Sequence, residues 1–147
     1  MRQSPHDRPL HRGPDGWQAV GEMRRPCRGR VGMITITLPW PDDTSLNARI
    51  HWAKRSSAAR DAQLVGIVAA REVYAGTLLH VTHPTRIIFH PPDKRRRDLD
   101  NMLTRCKANL DGICRAYCID DHLLHPITLD WGEMRYGGAV VVEIEGE

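Results

Sequence analysis

The 147-residue sequence predicts an α+β domain, a mixed β-sheet with two helices packed on one face, in the order β-α-β-α-β-β. Three observations carry this. Short stretches alternate apolar with polar residues, as half-buried strands do. Two longer stretches between them repeat apolar residues at spacings of three and four, the period of a helix. Prolines and glycines mark the ends of these stretches, at Pro39, Pro41, Gly76, Pro91, Pro92, Gly137 and Gly138.

The first strand begins at Met33, where Ile34, Ile36 and Leu38 alternate with Thr35 and Thr37 until Pro39 and Pro41 end it and Trp40 opens a loop. From about residue 54 to 75, Leu64, Ile67 and Val68 among several alanines predict a helix, with Lys54, Arg55 and Arg60 near its start and Gly76 ending it. Residues 85 to 90, with Ile87, Ile88 and Phe89, read as a second strand running into Pro91 and Pro92. A second helix starts near Asp98 or Asp100, either of which suits an N-cap, and its apolar stripe is Leu103, Cys106, Leu110 and Ile113. Residues 127 to 135 and 139 to 145 predict two strands joined as a hairpin at Gly137 and Gly138.

Length and a 41% hydrophobic content suit one core, residues 33 to 147. Residues 1 to 32 hold four prolines and seven arginines without apolar periodicity and read as a disordered basic tail, or as sequence ahead of the true start. No run approaches the roughly 20 apolar residues that span a bilayer, and no apolar segment follows the N-terminal arginines, so no membrane and a cytoplasmic location are expected. Cys27, Cys106, Cys114 and Cys118 are then expected to be reduced thiols. The net charge of +3 hides a segregation, with +4 over residues 1 to 32, +5 over 33 to 107 and −6 over 108 to 147. Such a division suits a chain that holds a polyanion with one region and a cation with another.

Chemistry concentrates around Asp98 and Asp100. An extended backbone there sends both carboxylates to one side and Leu99 to the other. On a helix starting at Asp100, Thr104, Lys107 and Asp111 share its stripe, next to the apolar face, where a crevice wall would lie. The plain alternative is a solvated face with Lys107 and Asp111 as an i,i+4 pair. Yet Lys94, Arg95, Arg96 and Arg97 stand immediately before the two aspartates, so a phosphate would meet cations and carboxylates together. Asp120 and Asp121 add carboxylates where the chain turns back. Carboxylate-bound Mg²⁺ supplies what phosphodiester cleavage needs, and it would offset the repulsion of crowded aspartates.

The run Arg95-Arg96-Arg97-Asp98-Leu99-Asp100-Asn101, followed by Lys107, Leu110-Asp111-Gly112 and Asp120-Asp121, resembles the RusA family of crossover junction endodeoxyribonucleases, common in phages and prophages. Residues Ile36 to Pro41 and Asn47 resemble that family's first strand and loop, and the resemblance covers residues 33 to 147. It implies a homodimer that binds four-way (Holliday) DNA junctions in recombination and repair and nicks opposing strands. It further implies Asp98, Asp100 and Asp121 as ligands of Mg²⁺, with Mn²⁺ as a substitute, and an assisting lysine. In some members that lysine falls where this chain has Thr104, and in the phage-like branch it falls at Lys107, with Arg105 as the fallback. Lys94, Arg95, Arg96, Arg97, Asn101 and Arg105 are the candidate DNA contacts.

Two rival readings remain. Cys114, Cys118, His122 and His125 mimic a zinc pattern, but only three residues separate Cys118 from His122, too few for the chain to turn around a tetrahedral ion. A dimeric DNA-binding protein without catalysis would use the same basic run, and its binding would be sensitive to salt and indifferent to Mg²⁺.

Overall fold

A computed structural model describes residues 32–41 and 52–146. The expectations for residues 1–31 and for Asn47 lie outside the described residues. The alternation at the start of the domain becomes β1 (Met33–Pro39), in which Ile34, Ile36 and Leu38 are buried and the residues between them are exposed. Helix α1 (Trp52–Val73) follows, then β2 (Thr85–His90), α2 (Leu99–Tyr117), a short 3-10 turn (Asp121–Leu123), β3 (Ile127–Trp131) and β4 (Ala139–Glu145).

The four strands form one mixed sheet in the order β1-β4-β2-β3. Strand β4 is antiparallel to both β1 and β2, with Ile36 and Ile87 both opposite Val142. Strand β3 runs parallel to β2, with Ile87 opposite Leu129. The expected β3–β4 hairpin is therefore absent, and β2 lies between those two strands. The reason is in the side chains. Val140, Val141, Val142 and Ile144 make β4 apolar on both faces, which suits an inner strand. β3 is five residues long, carries Asp130, and suits an edge. A parallel pair needs a crossover, and α2, roughly 28 Å long at 1.5 Å per residue, provides it between β2 and β3. The stretch expected to complete β3 up to Arg135 is instead the start of a loop, residues 132–138.

Both helices contribute to the core on one face of the sheet, as the sequence predicts. From α2 come Met102, Cys106, Leu110, Ile113 and Tyr117, packed with Ile36, Ile87, Phe89 and Val142. Each fully buried large apolar side chain contributes about 1.5–3 kcal/mol. Met102 and Tyr117 belong to the buried stripe that the sequence assigned to Leu103, Cys106, Leu110 and Ile113, and Leu103 sits at its margin.

Helix α1 corrects a second expectation. Leu64 and Val68 are 59% and 55% exposed, and Ile67 alone of the three expected core residues packs against the core. The helix meets α2 through glycine instead. A Cβ at Gly66 would collide with the backbone of Asn109, and one at Gly112 with the backbone of Gln63. Backbones so close allow cross-helix hydrogen bonds, from Asn109 Nδ2 to the Ala62 carbonyl (2.9 Å) and from the Tyr117 hydroxyl to the Ala70 carbonyl (2.8 Å). The first fixes the azimuth of α2 and therefore the direction in which its polar stripe faces.

Candidate active site

The segment after β2 is built around Asp93. Its carboxylate accepts the Arg95 backbone N–H at 2.9 Å and both terminal nitrogens of Arg97, at 2.8 and 3.1 Å. Arg97 also donates to the Arg95 carbonyl (3.1 Å), and its guanidinium lies over the Trp40 ring, 5.3 Å from the centroid. The Arg97 guanidinium holds the Asp93 carboxyl down at about 2, with help from the Arg95 amide. Trp40 keeps a buried indole N–H that meets no acceptor among the described residues, a cost of about 1–3 kcal/mol that phenylalanine would avoid. Of the aromatic faces, the indole attracts a guanidinium best.

This lock divides the basic run. The Arg97 side chain is 10% exposed and bonded to Asp93, whereas Lys94, Arg95 and Arg96 are exposed, Arg95 with only a long approach of its Nε to Asp93 (3.8 Å). Three of the four expected phosphate contacts are thus presented outward, and the fourth faces the protein. Sequence reasoning missed Asp93 and gave Trp40 no role. The legible signal was an acid four residues before an arginine in a segment that also holds two prolines.

Asp98 is the N-cap of α2, with φ −92° and ψ 137°. An N-cap aspartate ordinarily directs its carboxylate at the free amides of the first turn. Asp98 does not: its backbone carbonyl accepts the Met102 N–H (3.1 Å), while among the described residues its carboxylate accepts only from the Asn101 side-chain Nδ2, at 3.4 Å. Asp100, in the first turn, is exposed and makes no side-chain ion pair among the described residues. Neither carboxylate makes an ion pair among the described residues, and both stand at a helix N-terminus, where the macrodipole favours negative charge. Asp98, but not Asp100, lines a cleft of about 200 Å³ together with Arg96, Arg97, Asn101, Met102 and Arg105.

Further along α2, Thr104 turns its hydroxyl to the Asp100 carbonyl (2.9 Å). Lys107 reaches out of the helix to Asp121, Nζ to Oδ2 3.1 Å, and lies 3.7 Å from Asp111. The bond to Asp121 raises the Lys107 ammonium above its ordinary value, Asp111 adds to it, and the same bond holds Asp121 below the usual carboxylate range. The turn Asp121–Leu123 is anchored by Leu124 N–H to the Asp121 carbonyl (3.0 Å), which fixes this end of the contact. Asp120 points elsewhere, 4.0 Å from His122.

The structure thus joins Lys107 with Asp121 and Asp98 with Asn101, and it places Asp98 at the cap and Asp100 in the first turn of α2; Leu99 and Asp100 are already helical, so the extended backbone expected to send both carboxylates to one side is not formed. It does not gather three carboxylates: among the described residues no three His, Cys, Asp or Glu side chains are close enough to hold a metal ion. The donor chemistry nevertheless fits a hard divalent cation, since Asp98 and Asp100 offer carboxylate oxygens that make no ion pair among the described residues. The zinc pattern is not assembled either. Cys114 is buried, with burial pushing its thiol up to about 12, whereas Cys118 is exposed in the left-handed conformation that ends α2. Cys106, Cys114 and Cys118 are all free thiols. No helix among the described residues is long and apolar enough to cross a membrane.

No family model matches the chain. It is 42% identical over 120 residues to an uncharacterized protein of Xylella fastidiosa, covering 78% of this chain and 77% of that one. It is 35% identical over 92 residues to the crossover junction endodeoxyribonuclease rusA of Enterobacteria phage 82, covering 58% of this chain and 72% of that protein. Against the crossover junction endodeoxyribonuclease RusA of Escherichia coli K12, identity is 34% over 97 residues, or 62% of this chain and 76% of the other.

Proposed function

The chain belongs to the RusA family of crossover junction endodeoxyribonucleases, and from that premise we propose that it is a Mg²⁺-dependent endonuclease of the phage or prophage type. It resolves four-way DNA junctions in recombination and repair by paired nicking of opposing strands. It acts in the cytoplasm as a homodimer, one active site in each copy serving one of the two strands. The observation that carries the reading is the pair of carboxylates, Asp98 and Asp100, which make no ion pair among the described residues and follow directly on the exposed Lys94, Arg95 and Arg96. A nucleic-acid backbone laid on those cations brings a phosphate to the two aspartates.

Asp98 and Asp100, with Asp121 as the third ligand, would hold the ion, and Mn²⁺ would substitute for Mg²⁺. When bound, the ion polarises a phosphoryl oxygen and makes water a nucleophile at neutral pH. The chain's own residues do the rest. Lys94, Arg95 and Arg96 hold the backbone without reading sequence. Asn101 and Arg105, in the wall of the cleft, contact the same strand. Lys107 keeps its proton through the neutral range because Asp121 and Asp111 surround it, so it offers positive charge to the leaving oxygen; Arg105 is the alternative for that role.

A labelled four-way junction incubated with the purified protein tests the reading. Symmetrical nicks should appear with Mg²⁺ and vanish with chelator, while binding survives. Salt-sensitive binding with no cleavage at any Mg²⁺ or Mn²⁺ concentration would leave a DNA-binding protein without catalysis.

A further inference from the structure

The loop between β3 and β4 carries a side chain that the proposed chemistry does not use. Its residues 132–138 hold Met134, 53% exposed, and Tyr136, which is fully exposed; Trp131 just before them is 37% exposed. The chain has only three tyrosines, and the other two, Tyr74 and Tyr117, pack against each other with ring centroids 5.8 Å apart.

The loop is nonetheless fixed. Gly132 donates to the Phe89 carbonyl (2.9 Å) and Arg135 to the Pro91 carbonyl (3.0 Å), while the His90 ring donates to the Glu133 carbonyl (2.8 Å). Gly138 donates to the Arg135 carbonyl (2.9 Å), closing a four-residue turn in which Gly137 has φ 76°. A positive φ at the third position is what a type II turn requires, and it sets Tyr136 at the second position, on the outer corner. Gly138 then lies against Trp40, the ring that carries Arg97.

The anchor points matter more than the exposure. Phe89, His90 and Pro91 are the residues that run on into Lys94, Arg95 and Arg96, so a rigid turn presents an aromatic ring beside the cationic surface. Arg135 adds a charge next to that ring, and Glu133 is the loop's one acid. We infer that Tyr136 is a stacking site for a nucleobase whose face is left unstacked, which makes this loop the element that distinguishes branched from linear DNA. In a continuous duplex the base faces are closed to a side chain. At a branch point or in a single strand they are open, and an aromatic ring stacks on any base. The cations give affinity for any DNA backbone, and Tyr136 then adds affinity only where a base face is free.

The inference rests on the proposed action at DNA junctions, so its test measures both. Fluorescence anisotropy compares a four-way junction with a linear duplex of matched sequence, for the wild-type chain and for Tyr136→Ala, Tyr136→Phe and Tyr136→Trp. Junction binding should weaken about tenfold in Tyr136→Ala, duplex binding should not change, and the phenylalanine and tryptophan variants should restore the junction preference. Thermal midpoints should coincide, because the ring touches nothing whose loss unfolds the chain. An alanine variant that binds the junction as wild type does, or that loses junction and duplex equally, overturns the inference alone. A wild-type chain with no preference for the junction overturns the inference and the junction reading together.

Discussion

Lys107 Nζ lies 3.1 Å from Asp121 Oδ2, a contact across fourteen residues that ties the middle of α2 to the turn leading into β3. It is the point at which two separate parts of the sequence signature meet. The pair has a definite titration behaviour. Asp121 is depressed, so its contribution is present above the ordinary carboxylate value near 3.9 and is lost as pH falls through the lower folded value. Lys107 is raised, so its contribution is present below about 10.4 and is lost as pH rises through the higher folded value. Between those limits the pair stays ionised. An NMR titration of the Lys107 side chain should give a value above the ordinary lysine value in the wild type, and a lower one in Asp121→Asn. An unchanged titration would mean that the two groups do not interact in solution.

Much of this was legible in the sequence, and the failures have physical causes. Strict alternation in Ile34, Ile36 and Leu38 identifies β1 because one face is buried and the other exposed. The helical stripe of Cys106, Leu110 and Ile113 identifies α2 for the same reason. The partner of β3 was not legible, because strand pairing depends on the path of α2 across the sheet and not on the local pattern around Gly137. Nor was the face of α1, where Gly66 and Gly112 make the contact and hydrophobicity is a poor guide. The carboxylates Asp98 and Asp100 were conspicuous, but the inward turn of Arg97 was hidden, since four consecutive cations look alike until Asp93 and Trp40 select one of them.

That division of the basic run gives a contrast. Lys94→Ala, Arg95→Ala and Arg96→Ala should each weaken binding to every DNA substrate and reduce the slope of log affinity against log salt by about 0.9. Arg97→Ala should leave the slope nearly unchanged and instead loosen residues 93–98, seen as faster amide exchange at Arg95. An equal change of slope for all four would show that Arg97 leaves Asp93 to bind phosphate.

Helix contact through glycine predicts a large effect from a single methyl. Gly112→Ala places a Cβ against the Gln63 backbone, which cannot yield as a flexible side chain would. Urea denaturation should show a loss of about 1–3 kcal/mol, the usual cost of overpacking. Ala108→Gly on the same helix should cost only about 1 kcal/mol, through helix propensity. A gain of about 1 kcal/mol in Gly112→Ala, the helix propensity of alanine over glycine, would mean that the helices do not touch at Gly112.

Cys118 ends α2 at φ 57°, a conformation that disfavours a side chain with a Cβ. Cys118→Gly should raise stability by about 1 kcal/mol in thermal or urea melts, without affecting cleavage. A destabilised variant would show that the thiol makes contacts that outweigh the backbone strain.

The central claim is that Asp98 and Asp100, which make no ion pair among the described residues, hold a divalent ion. The most direct measurement is the rate of junction cleavage by Asp100→Asn across a Mg²⁺ titration, with junction affinity measured in parallel in chelator. Loss of an outer-shell partner costs metal sites 10–100-fold, so loss of a ligand should slow cleavage by about a hundredfold or more at every Mg²⁺ concentration. Junction binding should stay equal or tighten, because one repulsion against phosphate is gone. Cleavage by Asp100→Asn at the wild-type rate, with the wild-type Mg²⁺ dependence, would contradict the account.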